Sequence, residues 1–259
     1  MDIDIVIAEL QNSTLPTVFV EGKDDMLIYR KFEQLLGTTK VSFYACGGRT
    51  RLLDLYERRN EFANLKAIFV ADKDMYVFTE IPKIYENVIF TTGYSIENDL
   101  YADARDTQLD KIYLENQELP IKENIKNSLL TWFAFEVEKY KENLENETDN
   151  ETNFAAVTIL STNIMHRNSL TFTTDFLQTR NFQTPKDEIL MDLQQNYAHK
   201  LRGKYLFQIY ELIFQIRKTA NKQEITFKKE QLFLVCFKEG MANDNGFMKS
   251  IFDKISDRL

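Results

Sequence analysis

The chain has 259 residues, 44% of them hydrophobic, and a formal net charge of −8. A core can therefore be buried, but a general nucleic-acid-coating protein is excluded, because phosphate affinity comes mainly from clustered Lys and Arg. Two cysteines, Cys46 and Cys236, and two histidines, His166 and His199, are too few for a disulfide framework, a zinc site or a His-rich metal cage.

The opening MDIDIVIAEL carries acids where a signal peptide needs bases. No apolar run reaches the ~18 residues of a membrane span, so the cytoplasm is the expected compartment and no membrane partner is expected. TVFVE (17–21) reads as a strand that ends in an acid. GKDD then turns into a helix, MLIYRKFEQLLG, with Ile28, Phe32 and Leu35 at helical spacing and Gly37 as its stop. VSFYA (41–45) is a second strand and CGGRT a turn, followed by a helix from Arg51 to Asn64 that turns Leu52, Leu53, Leu55 and Tyr56 inward. LKAIFVADKD (65–74) is a third strand, apolar until Asp72, and NVIFTTGYSIEN (87–98) gives a fourth.

Beyond residue 112 helical patterns dominate, over 121–145, 153–167, 185–220 and 228–257. The acidic stretch from Glu142 to Glu151 reads as a solvated loop, Thr184-Pro185 as a helix start with Pro at the first helical position, and Asn243 to Gly246 as a break. Apolar strands alternating with amphipathic helices imply an α/β fold. The expected organisation is a mainly parallel sheet flanked by helices over 1–112 and a mostly α-helical region over 113–259.

Acids collect where the strands end. Glu21 closes the first strand, Asp25 lies in the first turn of the next helix, and Asp72 and Asp74 close the third strand as Asp-Lys-Asp. Residues two apart on a strand point the same way, so the two aspartates are expected to face one ligand, with Glu21 brought beside them by a neighbouring strand. Glu97 near the end of the fourth strand is a further candidate ligand. Carboxylates forced together repel unless a cation lies between them, and hard oxygen donors suit Mg²⁺ or Mn²⁺. Taken singly, each acid has an ordinary explanation, such as Asp24 and Asp25 complementing a helix dipole; together at strand ends they point to a site. Arg49 and Arg51, after Gly47-Gly48, could touch a phosphate at a helix N-terminus, and Lys23 and Lys73 flank the acids. A solvated arginine and simple charge offset explain the same residues. From Lys200 to Lys229 bases outnumber acids, which fits either a nucleic-acid face or a solvated helix.

VFVEGKDD, followed downstream by VADKD, resembles the Toprim domain of type IA and type II topoisomerases, bacterial primases and a class of nucleases. That family's pattern is Glu-Gly after the first strand and Asp-x-Asp after the third. The resemblance implies that Glu21 acts in general acid–base catalysis or as a metal ligand, and that Asp72 and Asp74 bind metal. CGGR and GYSIENDLY are similar to a Toprim-like family found beside ATPases in bacterial anti-phage systems of the PARIS type. The resemblance covers about residues 15–105 and only loosely the helical remainder. It implies a toxic, Mg²⁺-dependent nuclease effector acting on RNA, tRNA included, or DNA, with an ABC-type ATPase partner and homodimer assembly. The chain lacks a nucleophilic tyrosine motif and a primase zinc segment, which argues for hydrolysis. It also lacks GxxxxGK[ST], so it should not hydrolyse ATP itself. A binding or regulatory subunit that has lost catalysis and a nucleotide phosphatase remain as alternatives.

Overall fold

The computed structural model describes residues 3–145, 164–166, 169–221 and 229–259. Its elements in chain order are α1 (Ile3–Gln11), β1 (Thr17–Val20), α2 (Met26–Leu35), β2 (Ser42–Ala45), α3 (Arg49–Glu57), β3 (Ala67–Ala71), β4 (Ile89–Phe90), α4 (Ile96–Ala104), α5 (Asp106–Tyr113), α6 (Leu119–Glu145), α7 (Thr174–Thr179), α8 (Asp187–Gln195), α9 (Tyr197–Lys200), α10 (Gly203–Asn221), α11 (Lys229–Ala242) and α12 (Phe247–Ser256). The α/β expectation holds. The four strands form a parallel sheet in the order β2-β1-β3-β4.

The chain divides into two compact units, residues 1–104 with 230–259, and residues 105–229. The division expected at residue 112 therefore meets one at Ala104/Arg105, and the last thirty residues belong with the sheet rather than with the helical region. Sequence periodicity reports that a segment is helical but not which core it covers. In the sheet unit, Phe32 of α2 meets Phe237 of α11 and Phe252 of α12, each at 5.5 Å between ring centroids. Asp103 of α4 accepts the backbone N–H groups of Phe247 and Met248 at 2.8 and 2.9 Å, satisfying the open N-terminus of α12.

Strand alternation sorts the sheet's side chains between its faces. Phe19, Phe69 and Ala71 pack with α1 and α3, through Val6, Ile7, Leu10, Leu52, Leu55 and Tyr56. Phe19 stacks on Phe69 at 4.8 Å, and Tyr56 meets Phe69 edge-on. On the opposite face Tyr29 of α2 stacks against Phe43 of β2 at 5.9 Å. Burial on both faces explains why β1 and β3 read as unbroken apolar runs.

In the other unit α6 packs against α8 and α10. Lys122, 1% exposed, donates to both oxygens of Asp110 at 2.8 Å, and the Tyr210 hydroxyl donates to the same carboxylate at 2.7 Å. Most of the helix expected over 153–167 and of the expected 142–151 loop lies outside the described residues; the part described, 164–166, is not helical, Met165 forming an isolated antiparallel bridge with Phe172, and α6 itself runs on to Glu145. The long pattern over 185–220 resolves into α8, α9 and α10. Pro185 precedes the α8 N-cap, Lys186, rather than occupying the first helical position. The expected break at 243–246 separates α11 from α12.

Candidate active site

β1 and β3 are neighbours in register, Thr17 beside Ala67 and Phe19 beside Phe69. The chain therefore leaves both strands at the same edge, Glu21 from one and Asp72 from the other. Because β2 lies outside β1 and β4 outside β3, these two exits flank the switch point at which open α/β sheets bind ligands. Oε1 of Glu21 accepts the backbone N–H of Asp72 at 2.9 Å.

The glycine turn after β2 closes on the same point. The backbone N–H groups of Gly47 and Gly48 both donate to the Glu21 carbonyl at 2.9 Å. Their φ values of 89° and 136° are the reason glycine is needed there. The turn starts α3 so that Arg49 reaches back over the edge. Its Nη1 donates to the Asp72 carbonyl at 2.7 Å and to Oδ2 of Asp74 at 2.9 Å, and its guanidinium lies 4.5 Å from the centre of the Tyr76 ring.

The Asp-x-Asp segment departs from strand geometry. β3 ends at Ala71, and Asp74 begins a 3-10 turn, Asp74–Val77, with φ at 48°. The rule that residues two apart share a strand face therefore does not govern this pair. Asp74 is held instead by its N–H to the Tyr94 carbonyl, 2.6 Å, and by Arg49. A non-glycine residue in that region stores strain of about 1–3 kcal/mol.

The expected fourth strand is also shorter, and Glu97 lies in the first turn of α4 rather than on a strand. That helix start packs into the site. Oδ1 of Asp72 accepts the Ile96 N–H at 2.9 Å, which places a carboxylate at the positive end of α4. Ser95 Oγ donates to Glu97 Oε2 at 2.6 Å, and Asp99 accepts the N–H groups of Thr92 and Gly93 at 2.8 and 2.7 Å. Glu97, Asn98 and Asp99 are all buried. Asp25 is the N-cap residue of α2 yet makes no side-chain capping bond. Its carboxylate folds back over residue 22, where an added Cβ would stand 3.0 Å from Oδ2; glycine there permits the approach.

The electrostatics record this crowding. Burial first, then Asp74 and Asp25, push Glu21 up from 4.5 to about 8, against the opposing pull of Arg49 and the Asp72 N–H. Burial, then Glu21, Asp25, Asp74 and Glu97, hold Asp72 well above the ordinary carboxylate range. Asp99 is raised to about 6 by burial, opposed by its two N–H donors. The Tyr29 hydroxyl is pushed up by burial and then by Asp25, Asp72, Glu21 and Asp99. Burial works against the charge of Arg49, but Asp74 and Glu21 outweigh it, and its pKa is raised.

Glu21, Asp25, Asp72, Asp74 and Glu97 thus come together as one electrostatic cluster. Lys23 is exposed on its turn. Lys73 donates from Nζ to the Thr92 carbonyl at 3.1 Å. Arg51 lies by Tyr44 and Cys46, and Arg49 is bonded to Asp74 of the two-aspartate motif. Sequence reading missed Asp99, Ser95, Tyr29 and Tyr76. Spacing places the SIEND run at the end of the fourth strand, and nothing in it separates Asp99 from an ordinary surface acid. In the basic run from Lys200, Lys200 pairs with Asp192 and Arg217 with Glu118, while 222–228 lie outside the described residues.

Hard oxygen donors that repel one another fit a divalent ion, and Arg49 already stands where positive charge is needed. Among the described residues, no group of three or more His, Cys, Asp and Glu side chains is arranged as a ready metal cluster. Glu21, Asp72 and Asp74 each direct a carboxylate oxygen to a protein donor. No family model matches the chain, and no curated protein matches it. No helix of the described residues is long and apolar enough to cross a membrane.

Proposed function

We propose that the chain is a metal-dependent phosphodiester hydrolase whose site is the carboxylate cluster at the β1/β3 switch point. The observation that carries this reading is the hydrogen bond from the Asp72 N–H to Glu21, which joins acids 51 residues apart in the chain at one sheet edge. Glu21, Asp72 and Asp74, with Asp25 and Glu97 beside them, would hold Mg²⁺ or Mn²⁺. A bound divalent ion supplies a more acidic water and neutralises charge at phosphorus. The chain's own contribution is positional. Glu21, whose carboxyl is pushed up to about 8 by burial and its acidic neighbours in the metal-free chain, stands at the edge where an attacking water or leaving oxygen would exchange a proton. Arg49 offers a guanidinium for a phosphate oxygen.

The Toprim resemblance extends the proposal to a cytoplasmic toxic effector of anti-phage defence that cleaves RNA, tRNA included, or DNA. Its control by an ABC-type ATPase partner and its assembly as a homodimer rest on that resemblance alone. Inducible expression of the chain with its ATPase in bacteria, challenged with phage, tests the role. Growth arrest that Glu21→Ala abolishes is expected; arrest undiminished by that change would remove the site from the mechanism.

A second reading has its own observation. Arg49, bonded to the Asp72 backbone carbonyl and to the Asp74 carboxylate, sets a fixed positive charge among the acids, the arrangement of a site offset without an ion. On that reading the sheet is a binding or regulatory subunit. Calorimetric titration separates the two: saturable Mn²⁺ binding supports the hydrolase, and its absence supports the regulatory subunit.

A further inference from the structure

Beside the acids, on the β4 side of the same loop, lies a cleft of about 360 Å³ whose lining includes Lys73, Lys83, Lys254, Tyr85, Glu86 and Thr92. Every lining residue belongs to the sheet unit. We propose that this cleft binds a nucleotide of a single-stranded nucleic acid adjacent to the one held at the carboxylates; the inference rests on the hydrolase reading above.

Three observations carry it. Lys73 belongs to both places. It separates Asp72 from Asp74, its N–H donates to Thr91 Oγ1 at 3.0 Å, and its ammonium reaches the Thr92 carbonyl at the cleft. A chain crossing the sheet edge passes from one site to the other within a single residue of protein.

Second, the cleft is positive in an acidic protein. Three lysines and one glutamate line it. Lys83 and Lys254 are exposed, and neither forms an ion pair among the described residues, whereas Lys122, Lys126, Lys200 and Lys249 each pair with a carboxylate. Lysines left without carboxylates at one concavity match phosphate oxygens.

Third, the cleft contains a fixed aromatic ring. The Tyr85 hydroxyl donates to Glu57 Oε1 at 2.7 Å, and the ring packs edge-on against Tyr56 at 5.9 Å. A ring held in place can stack a base at little entropic cost, and such stacking tolerates any sequence. The volume falls at the lower end of the range for small-ligand pockets, roughly 300–1,000 Å³, which suits one nucleotide rather than a duplex.

The test is fluorescence anisotropy with a short labelled oligonucleotide, as RNA and as DNA, on the full chain in EDTA over a range of salt. Lys83→Ala/Lys254→Ala is expected to weaken binding about tenfold and to lower the magnitude of the salt slope by about 1.4, the value for two lost contacts to a single strand. Lys83→Arg/Lys254→Arg should bind as the native chain does. Unchanged affinity and slope in the double alanine variant overturn the proposal, even if the native protein cleaves nucleic acid. Conversely, the expected loss in a native protein that cleaves nothing in Mg²⁺ keeps the cleft and removes the hydrolase. AMP and inorganic phosphate are titrated in parallel. Lysine-dependent binding of either, with oligonucleotide binding unaffected, assigns the cleft to free nucleotides and overturns the strand assignment.

Discussion

The backbone N–H of Asp72 points at Oε1 of Glu21 across 2.9 Å, and that single bond locks the ends of two neighbouring strands into one acidic site. Burial at that edge first, then Asp74 and Asp25, push the Glu21 carboxyl up from 4.5 to about 8, against the opposing pull of that same bond and of Arg49. Between those values the folded state binds more protons than the unfolded one. The contribution of Glu21 to stability is therefore fully present below about 4.5 and is lost as pH rises through about 8. In EDTA, the melting temperature of the native chain should fall relative to that of Glu21→Gln as pH is raised from 5 to 8. Parallel melting curves across that range would show that Glu21 does not carry the proton.

Arg49 should behave as a built-in counter-ion. Arg49→Ala leaves Asp74 without its 2.9 Å partner and the Asp72 carbonyl without its donor. A loss of about 1–2 kcal/mol is expected in EDTA, allowing for the partial exposure of the pair. Added Mg²⁺ should then raise the melting temperature of the variant more than that of the native protein, because an ion replaces the missing charge. Equal Mg²⁺ responses would detach Arg49 from the cation site.

Gly22 is placed for approach rather than for an unusual φ. A methyl group there stands 3.0 Å from Oδ2 of Asp25, so Gly22→Ala should push that carboxylate aside by a few tenths of an ångström. We expect Mn²⁺ affinity, read by calorimetry, to weaken on the order of tenfold, with little change in melting temperature in EDTA. Unaltered affinity would place Asp25 outside the ion's reach.

Much of this architecture can be read from residue order. The unbroken apolar runs ending in Glu21 and Asp72 announce parallel strands buried on both faces, and their shared edge follows from adjacency. Glu97 could be anticipated near that edge but not on α4, because the two-residue strand Ile89–Phe90 is followed by an irregular turn that spacing cannot resolve. Asp74 likewise defeats strand logic: its positive φ goes with bonds to Tyr94 and Arg49, residues twenty or more positions away in the sequence. The return of α11 and α12 to the sheet depends on long-range pairs such as Phe32 with Phe237 and Phe252, to which local periodicity is blind.

That return makes its own prediction. Gly240 of α11 lies so near Asp103 that an added Cβ would stand 2.1 Å from Oδ2. Asp103 has little freedom to yield, since both its oxygens cap α12. Gly240→Ala should therefore destabilise the chain by about 1–3 kcal/mol or more, as overpacking does, despite the higher helix propensity of alanine. A stabilised variant in thermal or urea denaturation would mean that α11 does not pack against α4 as described.

The central claim is tested most directly by cleavage of end-labelled RNA and DNA by the purified full-length chain, in Mg²⁺ and in EDTA, beside its Glu21→Gln variant. The account predicts cleavage in Mg²⁺ by the native protein, none in EDTA, and a rate at least about a hundredfold lower in the variant. Cleavage that persists in EDTA, or that the variant performs at the native rate, would contradict it.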